Sequence, residues 1–441
     1  MSSVARGVPA LAPDDPRRRE DGLGWVTRAL FADERLRVTV GRRRAETGGM
    51  CWAVVPSVER ARFLVPLGNR QVAAGSVLAY NALRSGPTRA VRWVIGSLAR
   101  AGAVQALPFP VLSVGASASR AGLSLIGYLA AVLGEPSLVA AIGVRPPDPN
   151  RKPTLQLFDV HGRPRGYAKV GWNAATRSLV RAESAALRSL PEDPGGDYPV
   201  TPRPRHAGEW ADRVIGVTAP LPETVRRLPD PGRPRLGSML ATARRGGPPG
   251  ERRPLGTSPF LDRLRREAGQ VSGADGAAIR AAVAGLGDRA AGVEMEFGDW
   301  HGDWVPWNLG EVLPERGAPH RPRDQPPEAG TAVGAGRARL VAWDWEHSGS
   351  GVPVGFDLAH QAFNTALVVG GQPADRAVDA ADMALRSYGV ELGLAPAAAG
   401  PVADAYLIEM WMRTYRIASG GAGWNSDLHP SLLEVLARRM V

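Results

Sequence analysis

The segment His301-Gly302-Asp303-Trp304-Val305-Pro306-Trp307-Asn308 constrains this chain more than any other. Before it, Val293, Met295 and Phe297 alternate with polar residues, which predicts a strand that delivers His301. Asp344 follows Asn308 by 36 residues, inside Val341-Ala342-Trp343-Asp344-Trp345-Glu346. The stretch from Leu313 to Arg337 is rich in Pro, Gly, Arg and Glu with little apolar content. It reads as a flexible insertion in a hairpin that carries the chain from Asn308 back to Asp344.

Phosphoryl transfer to a hydroxyl needs a carboxylate near the attacking oxygen and two oxygen ligands that fix magnesium on nucleotide phosphates. Asp303, Asn308 and Asp344 supply those three groups in that order. Protein kinases carry H-R-D-x-x-x-x-N followed by D-F-G. Here Gly302 stands in place of that Arg, and Trp345 and Glu346 in place of Phe and Gly. This variant resembles the aminoglycoside phosphotransferase and choline kinase-like superfamily over roughly residues 136–441. The resemblance implies an α+β, bilobal protein kinase-like fold with an antiparallel-sheet small lobe and a mainly helical large lobe. It also implies use of ATP, with GTP not excluded, and of Mg2+. Asp303 would be the base, His301 would hold the loop, and Asn308 and Asp344 would bind the metal. Asp357, in Gly355-Phe356-Asp357-Leu358-Ala359, matches an Asp that supports the catalytic loop in that family, and also reads as a helix N-cap. Glu346 reads either as an assistant to the metal or as an exposed acid.

The chain has 441 residues, enough for two or three domains, and its 44% hydrophobic content is globular. Cys51 is the single cysteine, which excludes an intramolecular disulfide and a cysteine-rich zinc site. Residues 1–20 lack the apolar core of a secretory signal, and a reducing cytoplasm fits. A net charge of +11 raises nucleic acid as a partner, but the arginines are scattered without aromatic interleaving, so a solvated basic surface is the simpler reading. Of 54 Lys plus Arg, only Lys152 and Lys169 are lysine. A position that stays Lys in such a chain suggests a need for a compact ammonium.

Both lysines fall where a kinase holds nucleotide phosphates. Strands are predicted at Val139–Val144, Thr154–Val160 and Tyr167–Val170, the last carrying Lys169. The intervening loop, Arg145 to Pro153, is Pro-rich and has no glycine, unlike the kinase phosphate loop. Asn150, Arg151 and Lys152 either reach phosphates with side chains or form a plain surface turn. A helix over Thr176–Leu190 places Glu183 in an apolar stripe, where it needs a cation, and Lys169 is the candidate. A strand at Asp212–Thr218 leads to a hinge, and Pro220 and Pro222 mark passage to the large lobe. Residues 1–24 read as a flexible basic tail, 25–135 as an α/β extension of unknown role, 136–222 as small lobe and hinge, and 223–441 as large lobe. Residues 223–256 read as loop. Helices are expected over Ser258–Ala268, Ala274–Leu286, Asp357–Val369, Ala374–Tyr388, Pro401–Ile417 and Pro430–Arg439.

The family's acceptors include aminoglycosides, choline, sugars and amino acids. Arg226, Arg227, Arg244, Arg245, Arg252 and Arg253 fall on the expected acceptor side and argue against a polycation. The expectation is therefore a small-molecule kinase acting on a hydroxyl-bearing, non-polycationic acceptor, without membrane association. A catalytically inactive nucleotide-binding module and a basic nucleic-acid-binding protein remain as alternatives.

Overall fold

A computed structural model describes residues 22–33, 35–42, 49–103, 107–115, 124–145, 150–313, 338–422 and 428–440. The expected tail (apart from residues 22–24), phosphate-loop residues 146–149 and the insertion (apart from residue 313) lie outside them. The chain divides into two compact units. The first comprises Met1–Asn81, Ser85–Trp172 and Arg205–Pro220, and the second Ala82–Arg84, Asn173–Pro204 and Leu221–Val441. The class is α+β, with sheet dominating the first unit and helices the second.

In the first unit the strands are β1 (Arg37–Gly41), β2 (Met50–Val55), β3 (Phe63–Pro66), β4 (Val111–Gly115), β5 (Val139–Gly143), β6 (Thr154–Phe158), β7 (Pro164–Gly171), β8 (Pro204–Trp210) and β9 (Arg213–Thr218). They form one sheet in the order β1-β4-β2-β3-β5-β6-β7-β9-β8. The expected boundary near residue 135 thus falls inside a sheet: β3 pairs with β5 through Phe63↔Gly143 and Leu64↔Ile142. The helices are α1 (Gly22–Leu30), α2 (Arg70–Leu78), α3 (Gly86–Arg100) and α4 (Leu125–Leu133). Side chains alternate across a strand, so β2 serves two cores. Trp52 and Val54 pack with Leu23, Trp25 and Val26 of α1 and Leu129 of α4. Ala53 faces the other way, with Ala73, Ala74 and Val77 of α2 and Ala99 of α3. Leu23 is fully buried, so residues 22–24 open a packed helix and do not belong to a tail. Arg213 of β9 donates to the carbonyls of Ala29 (2.9 Å) and Arg28 (3.2 Å), satisfying the open end of α1.

The second unit starts with α5 (Ala174–Ser189), expected with the first lobe, and continues through β10 (Val225–Arg226), α6 (Leu236–Ala243), β11 (Arg252–Pro254), α7 (Pro259–Gly269), α8 (Gly273–Ala290), β12 (Glu294–Trp300), β13 (Leu309–Val312), β14 (Arg339–Ala342), β15 (Gly349–Pro353), α9 (Phe356–Asn364), α10 (Ala374–Tyr388), α11 (Ala399–Ile417) and α12 (Leu428–Met440). Residues 223–256 therefore hold a helix and two short strands, too brief for periodicity to reveal. Two three-stranded sheets, β10-β13-β14 and β11-β12-β15, frame the segment from His301 to Asp344. The helices bury a core that includes Leu264, Leu286, Phe356, Tyr406 and Trp411.

An ion network around the buried Glu409 ties α7 to α11. Glu409 accepts from Arg263 (2.7 Å) and Arg416 (3.0 Å), and both arginines also bond Glu267. Burial pushes the Glu409 carboxyl up, but the charges and hydrogen bonds of Arg263 and Arg416 outweigh it and hold the group below its ordinary value. With a depressed folded value, this contribution to stability is present above the unfolded pKa and lost as pH falls through the folded one. Glu409→Gln should therefore cost about 2–3 kcal/mol at neutral pH. In thermal melts the gap to the parent should close on acidification; a gap independent of pH would refute the linkage.

Candidate active site

Strand β12 ends at Trp300 and points His301 into the core, where it is fully buried. Its ring sits 4.5 Å from that of Trp345 and 5.9 Å from that of Trp304, both buried. Nδ1 accepts the backbone N–H of Asp303 (3.2 Å), so the other nitrogen carries the proton and donates to the Trp343 carbonyl (3.1 Å). Burial, only partly countered by Asp303 and Asp344, brings the imidazole down to about 4. His301 is thus a neutral brace between the loop and the strand that returns to Asp344.

Two further features fix the turn. Asp357, near the start of α9, accepts the backbone N–H groups of His301 (2.9 Å) and Gly302 (3.1 Å). It supports the loop and does not cap its own helix, whose N-cap is Gly355. Burial pushes its carboxyl up to about 7, against the pull of those two N–H groups, and Asp303 adds to the push. Gly302 has φ +79°, and a Cβ there would lie 2.0 Å from the His347 carbonyl oxygen. The loop passes so close to the segment after Asp344 that only glycine fits.

The side chain of Asn308 donates to both the carbonyl (3.2 Å) and the carboxylate (2.7 Å) of Asp303. That commits its Nδ2 and leaves its carbonyl oxygen as the group available to a cation. The β13–β14 register, Leu309↔Ala342, closes the long sequence gap, and Trp343 N donates to Asn308 O (3.1 Å). Asp344 follows at once with φ 73° and ψ 56°, a left-handed conformation uncommon outside glycine.

Three residues not singled out by sequence complete the surroundings of Asp303. His360 Nε2 lies 3.1 Å from Asp303 Oδ1, and its Nδ1 lies 3.0 Å from the Tyr406 hydroxyl. Arg413 donates to the Gly302 carbonyl and stacks over Trp300, 5.6 Å from the ring centre. Burial opposes ionisation of Asp303. The hydrogen bond from His360 and the positive potential of its neighbours, Arg413 included, nevertheless hold the carboxyl well below the usual carboxylate range. Burial pushes His360 itself down, so it acts through its N–H dipole, while Arg413 supplies fixed charge. The available signal was spacing: His360 is one turn from Asp357 on α9, and Tyr406 and Arg413 are two turns apart on α11.

Glu183 lies on α5 with its carboxylate within 4.8 Å of those of Asp344 and Glu346. Glu346 is buried, which corrects the reading of an exposed acid. Lys169 on β7, Lys152 and Asn150 belong to the first unit. Lys152 is only 7% exposed and donates to the Asn150 carbonyl (3.0 Å), while Arg151 lies over the Trp25 ring. This segment is more enclosed than a plain surface turn. Of the arginines placed on the acceptor side, Arg244 makes a bidentate pair with Glu296 (2.8 Å), Arg226 pairs with Glu311 (2.7 Å), Arg245 with Asp299 (3.5 Å) and Arg253 with Glu251 (3.3 Å). Four of the six thus have a carboxylate partner, which weakens the argument drawn from their number. No helix among the described residues is long and apolar enough to cross a membrane.

No family model and no curated protein matches the chain. Among solved structures it is similar to two thermostable mutants of the aminoglycoside phosphotransferase APH(4)-Ia. One, a ternary complex with AMP-PNP and hygromycin B, is 12% identical and has a TM-score of 0.43; the match covers 71% of this chain and 98% of that one. The other, a ternary complex with ADP and hygromycin B, is also 12% identical over the same shares, with a TM-score of 0.41.

Proposed function

We propose that the protein is a small-molecule kinase of the aminoglycoside phosphotransferase and choline kinase-like superfamily, moving the γ-phosphoryl group of ATP (or GTP) to a hydroxyl. The observation that carries this reading is the clasp of Asn308 on Asp303 beside a hairpin that returns the chain to Asp344. A carboxylate held ionised is suited to orient an acceptor hydroxyl and take its proton as the phosphoryl group arrives. Its low basicity suits a loose transition state, in which the proton leaves late. A carboxamide suits position 308 because one end donates to Asp303 while the other offers oxygen.

The donor set fits a hard cation: Asn308 and Asp344 would hold Mg2+, which when bound would neutralise charge on the β and γ phosphates. Three carboxylates as close as Glu183, Asp344 and Glu346 repel one another unless positive charge lies among them. A bound cation would suit such a cluster, and Lys169 would reach the α and β phosphates. Lys152 and Asn150 would complete the phosphate side, and residues 25–135 would form an extension of the small-lobe sheet.

A test is incubation of the full chain with Mg2+ and γ-labelled ATP or GTP against neutral, anionic and polyamine hydroxyl compounds. Label should pass to a neutral or anionic acceptor. Transfer to polyamine sugars alone would overturn the acceptor class. Tight nucleotide binding with no transfer across the panel would sink the kinase reading and favour the inactive module.

A further inference from the structure

The kinase reading above gives Asp303 its task but leaves two buried polar groups next to it without one. His360 is 1% exposed and Tyr406 is fully buried. Polar atoms so enclosed are costly unless bonded, and an apolar pair of similar volume would pack the core at less risk. Their bonds run in one direction, toward the carboxylate. Asp303, when ionised, can only accept, so His360 Nε2 must carry the hydrogen across the 3.1 Å contact. Nδ1 is then a bare lone pair, and the Tyr406 hydroxyl, 3.0 Å away, donates to it. Asn364 Nδ2, 3.0 Å from Nε2, would suit the opposite tautomer. That tautomer sets the lone pairs of His360 and Asp303 against each other. The Tyr406 hydroxyl and the carboxylate therefore select the same tautomer from opposite sides of the ring.

Placement reinforces this. Asp357 and His360 lie three residues apart on α9, hence on one face. Asp357 grips the backbone of the loop, and His360 grips its reacting side chain. Asn308 binds the other carboxylate oxygen at 2.7 Å. With one donor on each oxygen, rotation of the carboxylate about its terminal bond is blocked.

We propose that His360, held as its Nε2–H tautomer by Tyr406, is a positioning residue that locks the carboxylate plane of Asp303 toward the acceptor hydroxyl. Nucleotide binding does not depend on this lock, because the lock acts on the group facing the acceptor.

The test compares the full-length parent with His360→Leu, His360→Gln and Tyr406→Phe. Steady-state kinetics would use Mg-ATP and whichever acceptor the parent phosphorylates. Loss of one hydrogen bond to a charged group should lower kcat about 30-fold in His360→Leu. KM for ATP should stay within about twofold. His360→Gln, which keeps an N–H donor, should recover most of the loss, and Tyr406→Phe should lose about fivefold. Equal losses in the Leu and Gln variants, or a fall in kcat matched by a rise in KM for ATP, would refute the lock. Should His360→Leu not fold, the Gln and Phe variants decide by the same split. Ring 15N shifts of His360 give a readout free of turnover. They should report the Nε2–H tautomer in the parent and a mixture in Tyr406→Phe; a mixture in the parent would also refute the proposal. A parent that transfers no phosphate yet holds the pure tautomer would sink the kinase reading and leave the tautomer assignment standing.

Discussion

Under the proposed kinase function, Asp303→Asn is expected to lower phosphoryl transfer by about 10²- to 10⁴-fold, the range over which a positioned base contributes, with Mg-nucleotide affinity changed by less than about threefold. The loss has two sources. A carboxamide cannot take the acceptor's proton. It also cannot satisfy its neighbours, because Asn308 Nδ2 and His360 Nε2 both donate to the present carboxylate. An amide has one oxygen, so one of those donors would face an NH2 group. Single-turnover transfer alongside calorimetric nucleotide titration separates the effects. Retention of more than a tenth of the parent rate would show that another group serves as the base.

The second large effect is expected at Gly302, and it does not depend on what the protein catalyses. Gly302→Ala should destabilise the second unit by about 3 kcal/mol or more. Left-handed backbone costs an L-residue about 1–2 kcal/mol. The clash adds to that, because the new Cβ would lie 2.0 Å from the His347 carbonyl oxygen and 2.6 Å from its carbon. Both obstructing atoms are backbone, so no side chain can swing away. For a unit of this size the melting temperature should drop by about 10 °C. A displaced loop also misplaces Asp303 against Asn308, so under the proposed function transfer should in addition fall at least about 100-fold. A variant melting within about 2 °C of the parent would show that the close approach is wrong. The same contact accounts for the H-G-D string: a longer residue at 302, such as the Arg of protein kinases, would drive its Cβ into His347.

Much of the architecture could be read from the chain because local signals agreed. β2 and β3 lie where the apolar runs Cys51–Val55 and Ala61–Val65 flank a polar turn, and α10 spans Ala374–Tyr388 as its periodicity predicts. Short strands such as β1, β4 and β15 were not legible, since their pairing partners lie far along the sequence and only assembly satisfies their backbone groups. Nor was the single nine-stranded sheet: hydropathy shows that a strand is buried, not which edge it joins.

Sequence by itself put forward the chemical kit of the proposed site, because Asp303, Asn308 and Asp344 stand out by residue type and spacing. It also fixed the need for a return hairpin, and it singled out two lysines among many arginines. Tertiary structure decided which way those groups face. It assigned Asp357 to the loop backbone and His301 to a neutral brace, placed Glu183 with Asp344 and Glu346, and brought His360 and Tyr406 behind Asp303 from two different helices. The physical reason is range. Spacing encodes what lies within a few turns of the same element, whereas hydrogen-bond direction and burial depend on neighbours that only packing brings together.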